Sequence, residues 1–147
     1  MKDRLIYLAS PYSNSDPAVR LARFHAVCRE AARLMARGRL VFSPIAHTHP
    51  IAEAGQLPLG WPFWERYDRR MIGACDELHV LRLDGWRTSV GVQAEIAIAA
   101  ELGKPVHYLF PRAQCPRCGQ HYAQSSRGLW RHVCAGLLPT MQPGEAA

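Results

Sequence analysis

The chain has 147 residues, 48% of them hydrophobic and 20% charged, with a formal net charge of +6. That length and balance describe one folded domain with a sizeable core and exclude a disordered chain. No apolar run approaches the roughly 20 residues of a membrane helix. Met1-Lys2-Asp3-Arg4 leads into a short apolar run without the long apolar segment and cleavage site of a signal peptide, so a cytoplasmic protein is expected. The positive charge suits an anionic ligand. Arg and Lys are scattered, however, with no aromatic-interleaved basic stripe, and nucleic acid is not the favoured partner.

Arg4–Ala9 is a short apolar run ending at the turn-rich Ser10-Pro11-Tyr12-Ser13-Asn14, and it reads as a buried first strand and its loop. A helix follows, capped by Ser15 or Asp16 with Pro17 in its first turn. Phe24, Val27, Cys28, Ala31, Leu34 and Met35 fall on one face, and Gly38 stops it. Leu40–Ser43 is a second strand. Ile45 to Gly60, rich in Pro and Gly, reads as a long irregular loop, and loops of that length are usually functional. The next helix begins near Trp61-Pro62 and carries Trp64, Asp68, Met71, Ile72 and Cys75 on its apolar stripe. Glu77–Leu83 is a third strand, Val90 to Leu102 a helix closed by Gly103, and Pro105–Phe110 a fourth strand. This alternation predicts an α/β, flavodoxin-like (Rossmann-like) three-layer sandwich with a four- to five-stranded parallel sheet, occupying residues 1–111. Ligands of such sheets bind beyond the carboxyl ends of the strands, where the loops Ser10–Asp16, Pro44–Gly60 and Asp84–Ser89 would meet.

Two carboxylates stand out. Glu95 lies one to two turns into its helix among apolar neighbours, where the helix N-terminus favours the ionised form a nucleophile needs. A surface glutamate answering the helix dipole is the plainer reading. Asp68 lies on an apolar stripe, where a charge is costly unless paired, for instance with Arg20 or Arg23, or functional. Two carboxylates facing one cavity suit glycosyl chemistry: one attacks or stabilises the anomeric carbon, the other manages the leaving group's proton. Tyr7 is a core aromatic or a substrate contact, and Ser89 a helix cap or a phosphate ligand. Asp76 reads as structural. His47 and His49, with Glu53, raise a metal question, although a substrate-contacting loop fits better.

Five cysteines are present. Cys28 and Cys75 read as buried thiols. Cys115, Cys118, His132 and Cys134 have the composition of a small structural zinc knuckle over residues 112–136, with His121 able to replace one ligand. A tail, 137–147, follows. No cofactor is expected in catalysis.

Ile6-Tyr7-Leu8-Ala9-Ser10-Pro11-Tyr12, Tyr67-Asp68 with Asp76 eight residues on, and Ser89-Val90-Gly91-Val92-Gln93-Ala94-Glu95 followed by Gly103-Lys104-Pro105-Val106 resemble the nucleoside 2-deoxyribosyltransferase superfamily in order and spacing over roughly residues 4–110. The resemblance implies that Glu95 attacks the sugar C1′, that Asp68 and Tyr7 position base and nucleophile, and that the active unit is a homodimer or larger. It implies a nucleoside or nucleotide substrate. Ser89, six places before Glu95, is similar to the branch that hydrolyses nucleoside 5′-monophosphates, which favours an N-glycosidase over a transferase. Ser10-Pro11-Tyr12-Ser13 departs from that branch's Gly-Ser-x-Arg phosphate loop, so Ser10, Ser13 or Arg20 would have to serve. Ser43–His47 and Gly85–Gly91 resemble signatures of a bacterial and phage subgroup. The expected substrate-binding set is Ser10, Pro11, Tyr12, Ser13, Arg20, His47, Trp86, Ser89 and Gly91.

Overall fold

The computed structural model describes residues 3–114 and 121–123. Residues 1–111 form one compact unit; the chain from residue 112 onward forms a second. In the first unit, β1 (Leu5–Ala9), β2 (Leu40–Phe42), β3 (Glu77–Leu81) and β4 (Val106–Leu109) form one parallel sheet in the order β2-β1-β3-β4. The helices are α1 (Pro17–Met35), α2 (Pro44–Gly55), α3 (Trp61–Ala74) and α4 (Val90–Glu101). In the second unit, β5 (Arg112–Gln114) and β6 (His121–Ala123) pair antiparallel.

Strand side chains alternate between faces, and the sheet buries both. Tyr7 and Ala9 of β1 and Leu78 and Val80 of β3 pack with Ile72 of α3 and Val92, Ile98 and Ala99 of α4. Leu8 and Leu81 turn the other way, onto Val27, Ala31 and Leu34 of α1. Met35, expected on that apolar face, is 52% exposed at the last residue of the helix. Asp76 is structural: its Oδ2 accepts from the Leu5 amide at 2.9 Å, and its own amide donates to Leu5 O at 2.8 Å.

The local signals explain most helix starts. Asp16 Oδ1 accepts from the Ala18 amide at 2.8 Å with Pro17 at the first position, and Ser89 Oγ accepts from the Val92 amide at 3.4 Å. The expected loop from Ile45 to Gly60 is instead mostly α2. Its prolines mislead. Pro44 sits at the first helical turn, where its missing N–H is harmless. Ser43 Oγ caps the Ala46 amide at 3.2 Å, and only Pro50 is interior. Gln56 closes the helix in the left-handed region at φ 50°.

After β1 the chain adds β2 on one side and then returns to place β3 on the other. The crevice beyond the carboxyl ends of β1 and β3 is therefore the topological switch point, the preferred ligand site of such sheets.

Candidate functional site

A cleft of about 250 Å³ opens at that switch point. The loop after β1 supplies Ser10, Tyr12 and Ser13. Helix α2 supplies Pro44, Thr48, His49 and Ala52, and the start of α3 supplies Trp61, Trp64 and Asp68. Thr88, Ser89, Gly91 and Glu95 come from the start of α4 and the loop before it.

Glu95 and Asp68 are both buried, at 5% and 6% exposure, on helices that pack side by side over one face of the sheet. Tyr7, fully buried on β1, rises between them, and its hydroxyl donates to Glu95 Oε1 at 2.7 Å. Neither carboxylate forms an ion pair with a described residue. Arg20 and Arg23, the expected partners of Asp68, are engaged with main-chain carbonyls. Arg20 Nη1 donates to Asn14 O at 2.6 Å; Arg23 donates to Ser13 O and Asp84 O, both at 3.0 Å. Arg23 thereby ties the loop after β1 to the loop after β3. Gly85 makes room for it: at φ +85° any side chain would be strained, and a Cβ would stand 3.0 Å from Arg23 Nη2.

Burial without a cation reverses the protonation expected for Glu95. Loss of water pushes its pKa up to about 8, with the Asp68 charge adding to the rise and the Tyr7 hydrogen bond opposing it. The helix N-terminus does not prevail, because transferring a carboxylate out of water costs more than a partial charge returns. Desolvation lifts Asp68 to about 6, again against a contribution from the Tyr7 hydroxyl. The Tyr7 phenol is itself raised by burial and by both carboxylates. Both carboxyls are thus pushed toward their protonated forms, and they titrate as a coupled pair. Two buried polar atoms in the cleft, Ser10 Oγ and Asp68 Oδ1, have no hydrogen-bond partner. Buried polar groups are normally satisfied, so this pair marks where a ligand's polar groups would dock.

Of the expected binding residues, Ser10, Tyr12, Ser13, Ser89 and Gly91 line the cleft with Asp68 and Glu95, and four others do not. Pro11 is buried beneath the loop. Arg20 faces the loop carbonyls. Trp86 packs on the core beside Tyr108, ring centroids 5.5 Å apart. His47 lies outside the cleft, near parallel to the Tyr67 ring at 6.4 Å. His49 takes the position expected of His47: it bonds the Tyr12 hydroxyl through Nδ1 and packs on Phe24 at 4.2 Å. On a helix, residues two apart point to different sides, so the helical nature of α2 both separates the two histidines and removes any shared metal site. Trp61 and Trp64 were missed as site residues. Trp64 falls on the apolar stripe of α3 in the sequence, and only the position of the helix start beside the cleft distinguishes wall from core. No described Arg or Lys lines the cleft; besides Asp68, Glu95 and His49, its polar lining is hydroxyls and the amide end of α4.

Among the described residues, the one group able to hold a metal is Glu77, His79 and His107, at the amino end of the strands. Cys115, Cys118, His132 and Cys134 lie outside the described residues, as does any zinc site they form. No described helix is long and apolar enough to cross a membrane.

No curated protein matches the chain. Residues 4–110 match the family described as a domain of unknown function, DUF1937, a span that contains every cleft residue. The chain belongs to the DUF1937 family.

Proposed function

We propose that this protein cleaves the N-glycosidic bond of a nucleoside or nucleoside 5′-monophosphate, with water as the favoured acceptor and transfer to a second base as the variant outcome. One observation carries the reading: two buried carboxyls, both raised in pKa by loss of water, lie with a tyrosine hydroxyl in a cleft walled by Trp61, Trp64, Tyr12 and His49. Flat rings suit a base. The resemblance to the deoxyribosyltransferases assigns the same three residues the same tasks, on the flavodoxin-like fold that the β2-β1-β3-β4 order fits.

In the reactive form the proton sits on Asp68 and Glu95 is ionised. Positive charge developing on the sugar favours that distribution, since it stabilises the nearby carboxylate. Glu95 attacks the anomeric carbon, the C1′–N bond breaks, and its electrons go to the base nitrogen, which takes the Asp68 proton. Water then adds at C1′, gives its proton to Asp68 and releases Glu95. Tyr7 holds Glu95 in line throughout. Ser10, Ser13, Thr88 and Ser89 face the sugar hydroxyls. With no Arg or Lys among the described lining residues, a 5′-phosphate would rest on the amides and hydroxyl at the start of α4. The active unit is proposed to be a homodimer or larger, and Cys115, Cys118, His132 and Cys134 are proposed to hold a structural zinc.

The test is incubation with a panel of nucleosides and 5′-monophosphates, followed by chromatography for free base. Release by the wild type and its loss in Glu95→Ala are expected; no release from any member, or full release by the variant, overturns the proposal. A second reading draws on the raised Glu95 pKa, since a protonated carboxyl is a poor nucleophile: the cleft retains its ligand without cleaving it. Calorimetric binding with no base release would establish that alternative.

A further inference from the structure

At the amino end of the sheet, away from the cleft, Glu77 and His79 project from β3 onto one face, two residues apart. His107 of β4 is the register partner of His79, so all three meet on the same side. His79 Nε2 lies 3.1 Å from Glu77 Oε1, and His107 Nε2 lies 3.8 Å from Glu77 Oε2. One ligand atom from each residue falls within 4.8 Å of the others. Ligands about 2.1 Å from a tetrahedral zinc ion stand about 3.4 Å apart, so the spacing needs only small adjustment to enclose a metal.

We propose that Glu77, His79 and His107 bind a divalent transition metal of the zinc class, with solvent completing the shell beside the half-exposed His107. The ligand types, two imidazoles and a carboxylate, are those zinc accepts. Arg4 and Arg39 also reach Glu77, at 3.4 and 2.8 Å. Both are substantially exposed, at 62% and 46% of the side chain. Their competition makes this a weaker site than one built of thiolates. Because β4 is the last strand of the sheet, the metal would fasten an edge strand to β3.

The test uses the full chain and cobalt(II), whose spectrum separates nitrogen and oxygen ligation from thiolate ligation and so distinguishes this site from the cysteine cluster. With the cysteine cluster first filled by zinc, the wild type is expected to bind one further cobalt with visible d–d bands and no thiolate charge-transfer band. His107→Ala, at a half-exposed position, is expected to weaken that binding at least tenfold while leaving the metal-free Tm nearly unchanged. His79→Gln serves as the second variant. Cobalt bound only through thiolates, no cobalt bound, or wild-type binding by both variants overturns the proposal.

Discussion

Glu95→Gln should stabilise this protein, and increasingly so as pH rises. An unfolded chain ionises this residue near its ordinary 4.5, whereas the folded chain does so near 8. Between those values the folded state holds more protons than the unfolded one, so folding stability falls as pH rises through the window and the cost is complete above pH 8. At about 1.4 kcal/mol per pH unit, the penalty is about 1 kcal/mol at pH 5, about 3 at pH 7 and about 5 above pH 8.5. Glutamine has nearly the same shape, and its amide oxygen still accepts from Tyr7, so the substitution removes the charge and little else. At roughly 2–4 °C per kcal/mol for a chain near 150 residues, the variant's Tm should exceed the wild type's by about 6–12 °C at pH 7. At pH 5 the difference should shrink to about 2–4 °C. Thermal unfolding of both proteins at pH 5, 7 and 8.5 reads the effect directly. A Tm difference that does not grow with pH, or a variant less stable than wild type at pH 8.5, would refute the claim that an unpaired buried carboxyl sits here. The same variant should lack base release, a stability gained by removing a group kept for function.

If base release is observed, its pH profile should be bell-shaped, with limbs near 6 and 8 that belong to the pair rather than to one residue. Below the lower limb both carboxyls are protonated and no nucleophile remains; above the upper limb no proton is left for the base. Tyr7→Phe removes the hydrogen bond that lowers the Glu95 pKa, so the upper limb should move to higher pH. Its rate should drop about 10- to 100-fold, the worth of a hydrogen bond to a charged group; an unchanged profile would place the hydroxyl outside the chemistry. Trp64→Ala should raise KM about tenfold or more with kcat little changed, as loss of base stacking costs about 1–3 kcal/mol. Steady-state kinetics check it, and an equal loss in kcat would argue against a wall role. Arg23→Ala should cost about 1–2 kcal/mol of stability by releasing two loop carbonyls, measurable by urea unfolding.

The periodicity of the chain was enough to order the strands and most helices, because each sits under its own local rules: apolar runs between turns, Asp16-Pro17 and Ser89 at helix starts, Gly38 and Gly103 at their ends. It was also enough to single out Asp68 and Glu95, since a carboxylate on an apolar stripe is legible as an anomaly at any position. The α2 helix was not legible. Pro44, Pro50 and Gly55 together look like a loop, and only packing on α1 and β1 makes the helix worth forming around one interior proline. That single misreading displaced the histidine assignment from His49 to His47, because a side chain's direction depends on the periodicity of the backbone that carries it.

What the sequence by itself determined was the parallel α/β order and the presence of two carboxylates, a tyrosine and a serine cap in strands and helices whose ends converge. The tertiary structure alone decided that Arg20 and Arg23 are used up on loop carbonyls, that Trp61 and Trp64 form walls, and that Glu95 and Asp68 line one cleft with no counter-ion among the described residues. The physical reason is that charge state and partnership depend on which groups come within a few ångströms and on how much water is excluded. Those distances cross from residue 7 to residue 95, and no local pattern records them.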